Sequence, residues 1–175
     1  MEKPAVTEYP AGIYFGNYID QVAGNDLLLT LEQQRQQVVR LFENISPEQA
    51  NFRYAEGKWS PKEMLGHLTD SERIFAFRSL SIARGEQQSL PGFDENEYFA
   101  AANFANQSVE QLLEQYQLVR LSSLALFKSY SETIASRMGV ANGKPLSARA
   151  LVALIAGHEA HHLGILKERY GLEIE

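Results

Sequence analysis

The sequence predicts an all-α protein: a four-helix bundle with one long crossover. Three observations carry this. Four segments repeat apolar residues at three-to-four spacing. Three of them open on a serine-based start signal. A connection of more than twenty residues then separates the second segment from the third, which suits a bundle in which one link must cross over. Helices of roughly 20 to 30 residues span about 30 to 45 Å each.

The chain has 175 residues, 45% hydrophobic and 22% charged, the balance of an ordinary globular domain. Residues 1–24 carry Tyr9, Tyr14, Phe15 and Tyr18 among glycines and prolines. They read as an irregular aromatic arm packed on the bundle, which occupies residues 25–175. A disordered tail rarely spends so many aromatics.

The first helix is expected over residues 25–44, with Leu27, Leu28, Leu31, Val38, Leu41 and Phe42 on one stripe and Asn25 or Asp26 as its cap. The second is expected over residues 60–84. Its start, Ser60-Pro61-Lys62-Glu63, combines an N-cap serine, a first-turn proline and a glutamate at the third position. Gly85 is a natural stop. Residues 85–107 form the crossover, with a Pro-Gly turn and one short helix near residues 96–102. The third helix starts at Ser108, within another Ser-x-x-Gln box, and is expected to reach about Arg137. A loop over residues 139–146 follows. Ser147 caps the fourth helix, which ends before Gly171. No strand pair is predicted.

The net charge of −6 argues against nucleic acid, which favours a basic face. Basic residues are scattered, so no membrane patch is indicated. No apolar run approaches the roughly 20 residues of a membrane span, and the first residues lack the apolar core of a signal peptide. A cytoplasmic location is expected. There is no cysteine, so a metal would need imidazole or oxygen ligands.

The four histidines are His67, His158, His161 and His162. At about 100° per residue, His158 and His162 fall within the stripe of Leu151, Leu154 and Ile165. His161 falls at its edge. His67 shares a face with Met64, Ile74 and Ile82, and Ser71 and Arg78 lie on the same face. A lone buried histidine is commonly a hydrogen-bonded core residue. Two at i, i+4 facing a third on another helix supply the three nitrogens of an open divalent-metal site. Gly66 and Gly157 each precede an inward histidine, which suggests close helix approach or simple packing variation. Asp70 or Glu72 could orient a ligand imidazole, or could share a solvated face with Arg73. Phe93, Asp94 and Tyr98 could roof a pocket. Ser71 fits a nucleophile less well than a small packing residue.

Residues 158–162, His-Glu-Ala-His-His, match the H-E-x-x-H helix of zinc proteases. The longer metzincin pattern requires glycine where Ile165 stands, and no edge strand is predicted to bind a peptide. Glu159 lies off the stripe, as a surface carboxylate or one behind the ligands.

The segments GKWSPKEMLGHLTDSERIFAFRSLSIARG, LPGFDENEY and GHEAHHLGIL resemble the DinB-like superfamily, which includes the YfiT-like metal-dependent hydrolases. The resemblance covers about residues 25 to 170. It implies up-down-down-up topology and a metal triad at His67, His158 and His162. It also implies one divalent ion per chain, nickel or zinc, and a homodimer. Relatives that use a low-molecular-weight thiol as co-substrate point to a thiol-dependent S-transferase. The alternatives are a hydrolase using metal-bound water and a non-catalytic metal or small-molecule binding protein. Either enzyme would take a small-molecule substrate.

Overall fold

The computed structural model describes residues 1–174. The side chain of Tyr14 lies outside the described residues, as does Glu175. The helices are α1 (Tyr14–Asp20), α2 (Leu27–Asn44), α3 (Pro47–Asn51), α4 (Pro61–Ala83), α5 (Glu95–Ala102), α6 (Val109–Lys128), α7 (Glu132–Ala135) and α8 (Ala148–Tyr170). Strands β1 (Met138–Ala141) and β2 (Lys144–Ser147) form one hairpin.

The predicted caps begin the long helices. Asp26 accepts from the Leu28 and Leu29 amides at the start of α2. Glu63 Oε2 accepts from the Ser60 amide at 2.7 Å and from its hydroxyl at 2.8 Å. Ser108 and Gln111 exchange side-chain and backbone bonds ahead of α6. Ser147 accepts from the Ala150 amide. Each such cap satisfies an amide that the first helical turn leaves unpaired, a contribution of about 1 kcal/mol. Gly171 ends α8 in the left-handed region at φ 64°.

α2, α4, α6 and α8 form the bundle, and cross-links at both ends establish their directions. At one end Met64 and Leu65 of α4 share a core cluster with Leu112 and Leu113 of α6. At the other end Ser79 of α4 bonds the Ala148 carbonyl, and its hydroxyl lies 3.5 Å from that of Tyr130, just past α6. So α4 and α6 run parallel, and α8 runs against them. Gln34 of α2 donates to Ala156, and Val38 and Phe42 cluster with Leu163 and Leu166, so α2 runs with α8. The topology is up-down-down-up, and the crossover joins the parallel pair.

Three expectations need correction. The arm is not irregular throughout, since residues 14–20 form α1. Phe15, Ile19 and Val22 are buried in the core. α8 is buried on almost every side along its first half, and α1 covers the side that the bundle helices leave open. A helix apolar all round needs such a cover.

The third long helix ends at Lys128 rather than near Arg137, because Ser131 caps a new short helix, α7.

The loop over residues 139–146 is a strand pair. Asn142 and Gly143 both have positive φ, 51° and 68°, and join strands paired Ala141 to Lys144. This is the Asn-Gly turn whose twist matches a two-residue hairpin. The crossover is tied to it, because Leu90 exchanges backbone bonds with Val140 and Asn142. Among the described residues no helix is long and apolar enough to cross a membrane.

Candidate metal centre

α4 and α8 bring three imidazoles together. His158 Nε2 lies 3.1 Å from His67 Nε2 and 3.1 Å from His162 Nε2. All three rings are buried, at 5%, 4% and 8% exposure for His67, His158 and His162. Their ligating atoms lie within 4.8 Å of one another, and no carboxylate joins the group among the described residues.

Burial holds the rings neutral. It lowers His67 to about 4 and, with the neighbouring histidines, His162 to about 3. Burial and the same neighbours also push His158 well below its ordinary value. Neutral imidazole is the form that ligates.

The donor set fits a divalent ion. A metal–nitrogen bond of about 2.0–2.1 Å, in tetrahedral or octahedral geometry, places adjacent ligand nitrogens about 3.0–3.4 Å apart. The two contacts at His158 match that spacing. Protons satisfy them less well, because one in-plane lone pair on His158 Nε2 faces two partners. A cation held among the three rings would be shared by all of them, since their ligating atoms lie within 4.8 Å of one another.

The surrounding shell is aromatic. Tyr18 packs edge-on against His158 and His161, with centroids 5.3 and 5.2 Å away. Trp59 lies 4.7 Å from the His67 ring and stacks on Phe99.

Two glycines make room for this shell, though not by bringing α4 to α8 as expected. A Cβ at Gly157 would lie 1.9 Å from the Tyr18 carbonyl oxygen, and one at Gly66 would lie 2.4 Å from the Phe104 ring. The close approaches are to α1 and to the crossover.

The other candidates separate clearly. His161 is half-buried beside His162, at 5.1 Å between ring centroids. Ser71 and Arg78 line a cleft of about 270 Å³ that reaches His158, with Phe15, Phe75, Phe93 and Asn142 among its other walls. Asp94 also lines it, but its carboxylate caps α5. Tyr98 packs on Phe93 rather than lining the cleft.

Asp70 pairs with Arg73 at 2.7 Å on a partly exposed surface, the solvated arrangement rather than an imidazole-orienting one. Glu72 does not share that surface: it is buried and pairs with Arg120. No carboxylate is hydrogen-bonded to a ligand ring among the described residues, and His162 Nδ1 is buried without a partner there.

Glu159 requires the largest correction. It is neither on the surface nor behind the ligands. It is 1% exposed, with Arg120 donating to both its oxygens and the Tyr116 hydroxyl donating at 2.9 Å. Burial pushes its carboxyl up, and the Arg120 charge opposes this. A carboxylate committed to three donors inside the core is not placed as a protease base.

Arg120 is the residue that sequence reasoning missed. It is fully buried between Glu72 and Glu159 and also donates to the Leu31 carbonyl. Its signal was present, since it stands at helical spacing between Tyr116, Leu124 and Phe127 on the inward face of α6.

Fold and site together define a helical bundle carrying a candidate metal centre of three histidines. The chain matches the DinB superfamily model over residues 30–166 and belongs to that superfamily. It is 28% identical over 127 residues to a protein of Oceanobacillus iheyensis provisionally named a metal-dependent hydrolase, covering 71% of this chain and 72% of that one. Its fold is similar to that of YfiT from Bacillus subtilis, described as a probable metal-dependent hydrolase with an unusual four-helix bundle topology. That match has TM-score 0.73 and 17% identity and covers 94% of each chain.

Proposed function

We propose that this chain is a metal-dependent enzyme. In it His67, His158 and His162 hold one divalent ion, zinc or nickel, and the cleft beside His158 receives a small-molecule substrate. The observation that carries the reading is the meeting of three neutral imidazoles beside a cleft that reaches one of them, His158. Imidazole donors suit both metals. Such an ion, once bound, supplies Lewis acidity and lowers the pKa of the water or thiol that attacks.

The protein's own residues do the rest. α4 and α8 fix the three nitrogens on two rigid helices. Trp59, Tyr18 and Phe75 keep water from their flanks. Among the described residues three imidazoles and no carboxylate make up the cluster, a set that keeps a coordination position for the substrate or nucleophile and favours an enzyme over a closed binding site.

Hydrolysis is favoured first, because the Oceanobacillus relative carries that description. Thiol-dependent S-transfer uses the same open position. With no cysteine in the chain, the thiol would enter as a second substrate.

The test is a metal-loaded chain assayed on a panel of activated esters and amides, then on an aryl halide with and without added thiol. Turnover without thiol, abolished by His67→Ala, supports the hydrolase. Turnover that requires thiol supports the transferase. A metal-loaded chain that turns over neither substrate class would count against an enzyme.

A further inference from the structure

We infer that the cleft selects substrates bearing a carboxylate, with Arg78 as the group that recognises it. This deepens the metal-enzyme reading and rests on it.

Arg78 is 3% exposed, yet it lines the cleft. Its guanidinium donates to the Pro91 carbonyl at 2.6 Å. Its central carbon lies 5.5 Å from the Phe93 ring and 6.0 Å from the Phe75 ring. Among the described residues it has no carboxylate within salt-bridge distance, whereas buried Arg120 and Arg149 each have two. A buried guanidinium stays charged and carries five donors. The Pro91 carbonyl is its one hydrogen-bond acceptor among the described residues, and its remaining nitrogens keep some accessible surface, so they are free to meet a ligand. Burying a charge without a counter-charge is costly, and arginines in clefts commonly meet that cost by binding an anion in bidentate fashion.

The position of Arg78 relative to the triad gives the inference its shape. Phe75 lies 6.0 Å from the Arg78 guanidinium carbon and 6.0 Å from the His158 ring, so it links the two. Ser71 stands one helical turn from His67 on the same face of α4. It is 2% exposed, it lines the cleft, and its hydroxyl makes no hydrogen bond among the described residues. Along α4 the succession from ligand His67 is Ser71, Phe75 and Arg78, and these three line the cleft that reaches His158. That matches an extended molecule with an apolar middle, a reacting group at the triad and a carboxylate at the far end. Two carboxylates, Asp94 and Glu95, also stand on the cleft wall; Asp94 accepts from the amides of Asn96 and Glu97, and Arg78 forms no ion pair with either among the described residues.

The test uses the zinc-loaded full chain and two probes that differ only at the far end: suberic monohydroxamate, which ends in a carboxylate, and octanohydroxamate, which ends in a methyl group. Each hydroxamate ligates zinc. We expect the carboxylate probe to bind at least tenfold more tightly. Arg78→Met should remove that preference while leaving zinc content and octanohydroxamate affinity unchanged, and Arg78→Lys should retain part of it. Equal affinity of the two probes for the unaltered chain would overturn the inference whether or not the variants fold.

If the chain takes up no zinc, the metal reading fails by itself. The inference is then decided on the metal-free chain, where hexanoate but not hexanamide should shift the Arg78 Nε–H resonance. No shift with either would overturn it.

Discussion

Arg120 and Glu159 form an ion pair inside the bundle, at 2.8 Å between Nη2 and Oε2, with side-chain exposures of 0% and 2%. The pair joins α6 to α8 directly beside ligand His158, and Glu72 adds α4 to the same guanidinium. Glu159 is therefore a structural neighbour of the site that happens to complete a protease-like string of letters. Removing Arg120 would leave two carboxylates buried without a counter-charge. Arg120→Met is expected to cost about 3–5 kcal/mol of stability, read by chemical denaturation. Glu159→Gln should lower stability too, and any chain that remains folded should keep its metal.

The two glycines of α8 should respond oppositely to alanine. At Gly157 a Cβ meets the Tyr18 backbone, which cannot rotate away, whereas nothing lies within 4 Å of a Cβ at Gly164. Gly157→Ala should destabilise by about 1–3 kcal/mol or displace α1. Gly164→Ala should stabilise by up to about 1 kcal/mol, the difference between the two residues in a helix interior. Thermal unfolding of both variants checks the contrast.

Acid should weaken the metal-free fold through the triad. The folded-state values of His67 and His162, about 4 and about 3, lie below the ordinary 6.5. The unfolded chain therefore binds more protons in this window, and stability rises with pH across it. This contribution is complete above about pH 6.5 and is lost as pH falls toward the folded values. A His67→Gln variant should show a shallower fall between pH 6.5 and 4 in denaturation measured at each pH. An unchanged slope would mean that the ring is not buried as described.

The only tryptophan, Trp59, reports on the site because it packs on His67. Nickel added to metal-free chain should quench its fluorescence saturably, and a chelator should reverse the effect. The chelator should also lower the melting temperature of the loaded chain, because an ion bound only by the folded state stabilises it; a 100-fold excess over Kd contributes about 2.7 kcal/mol.

The bundle and the triad were legible because their signals are local. Ser60, Ser108 and Ser147 mark helix starts by chemistry within four residues, and His158 and His162 share a face by helical spacing alone. The hairpin was harder to see. Its strands are four residues each and Pro145 interrupts the second, although Asn142-Gly143 carries its turn signal. Arg120 was missed because its partners stand 48 and 39 residues away on two other helices, and no local pattern pairs them. The role of Gly157 likewise depends on where α1 lands, a tertiary fact. The cleft walls come from the arm, the crossover and the hairpin as well as the bundle, so Arg78 could be placed on a face but not in a pocket.

The central claim is that three histidines hold one ion, and metal content of the purified, untagged chain tests it most directly. The account predicts about one zinc or nickel per chain, lost in His67→Ala, His158→Ala and His162→Ala and retained in His161→Ala. A chain that neither carries nor takes up a divalent ion, or a stoichiometry unchanged by the triad substitutions, would contradict it.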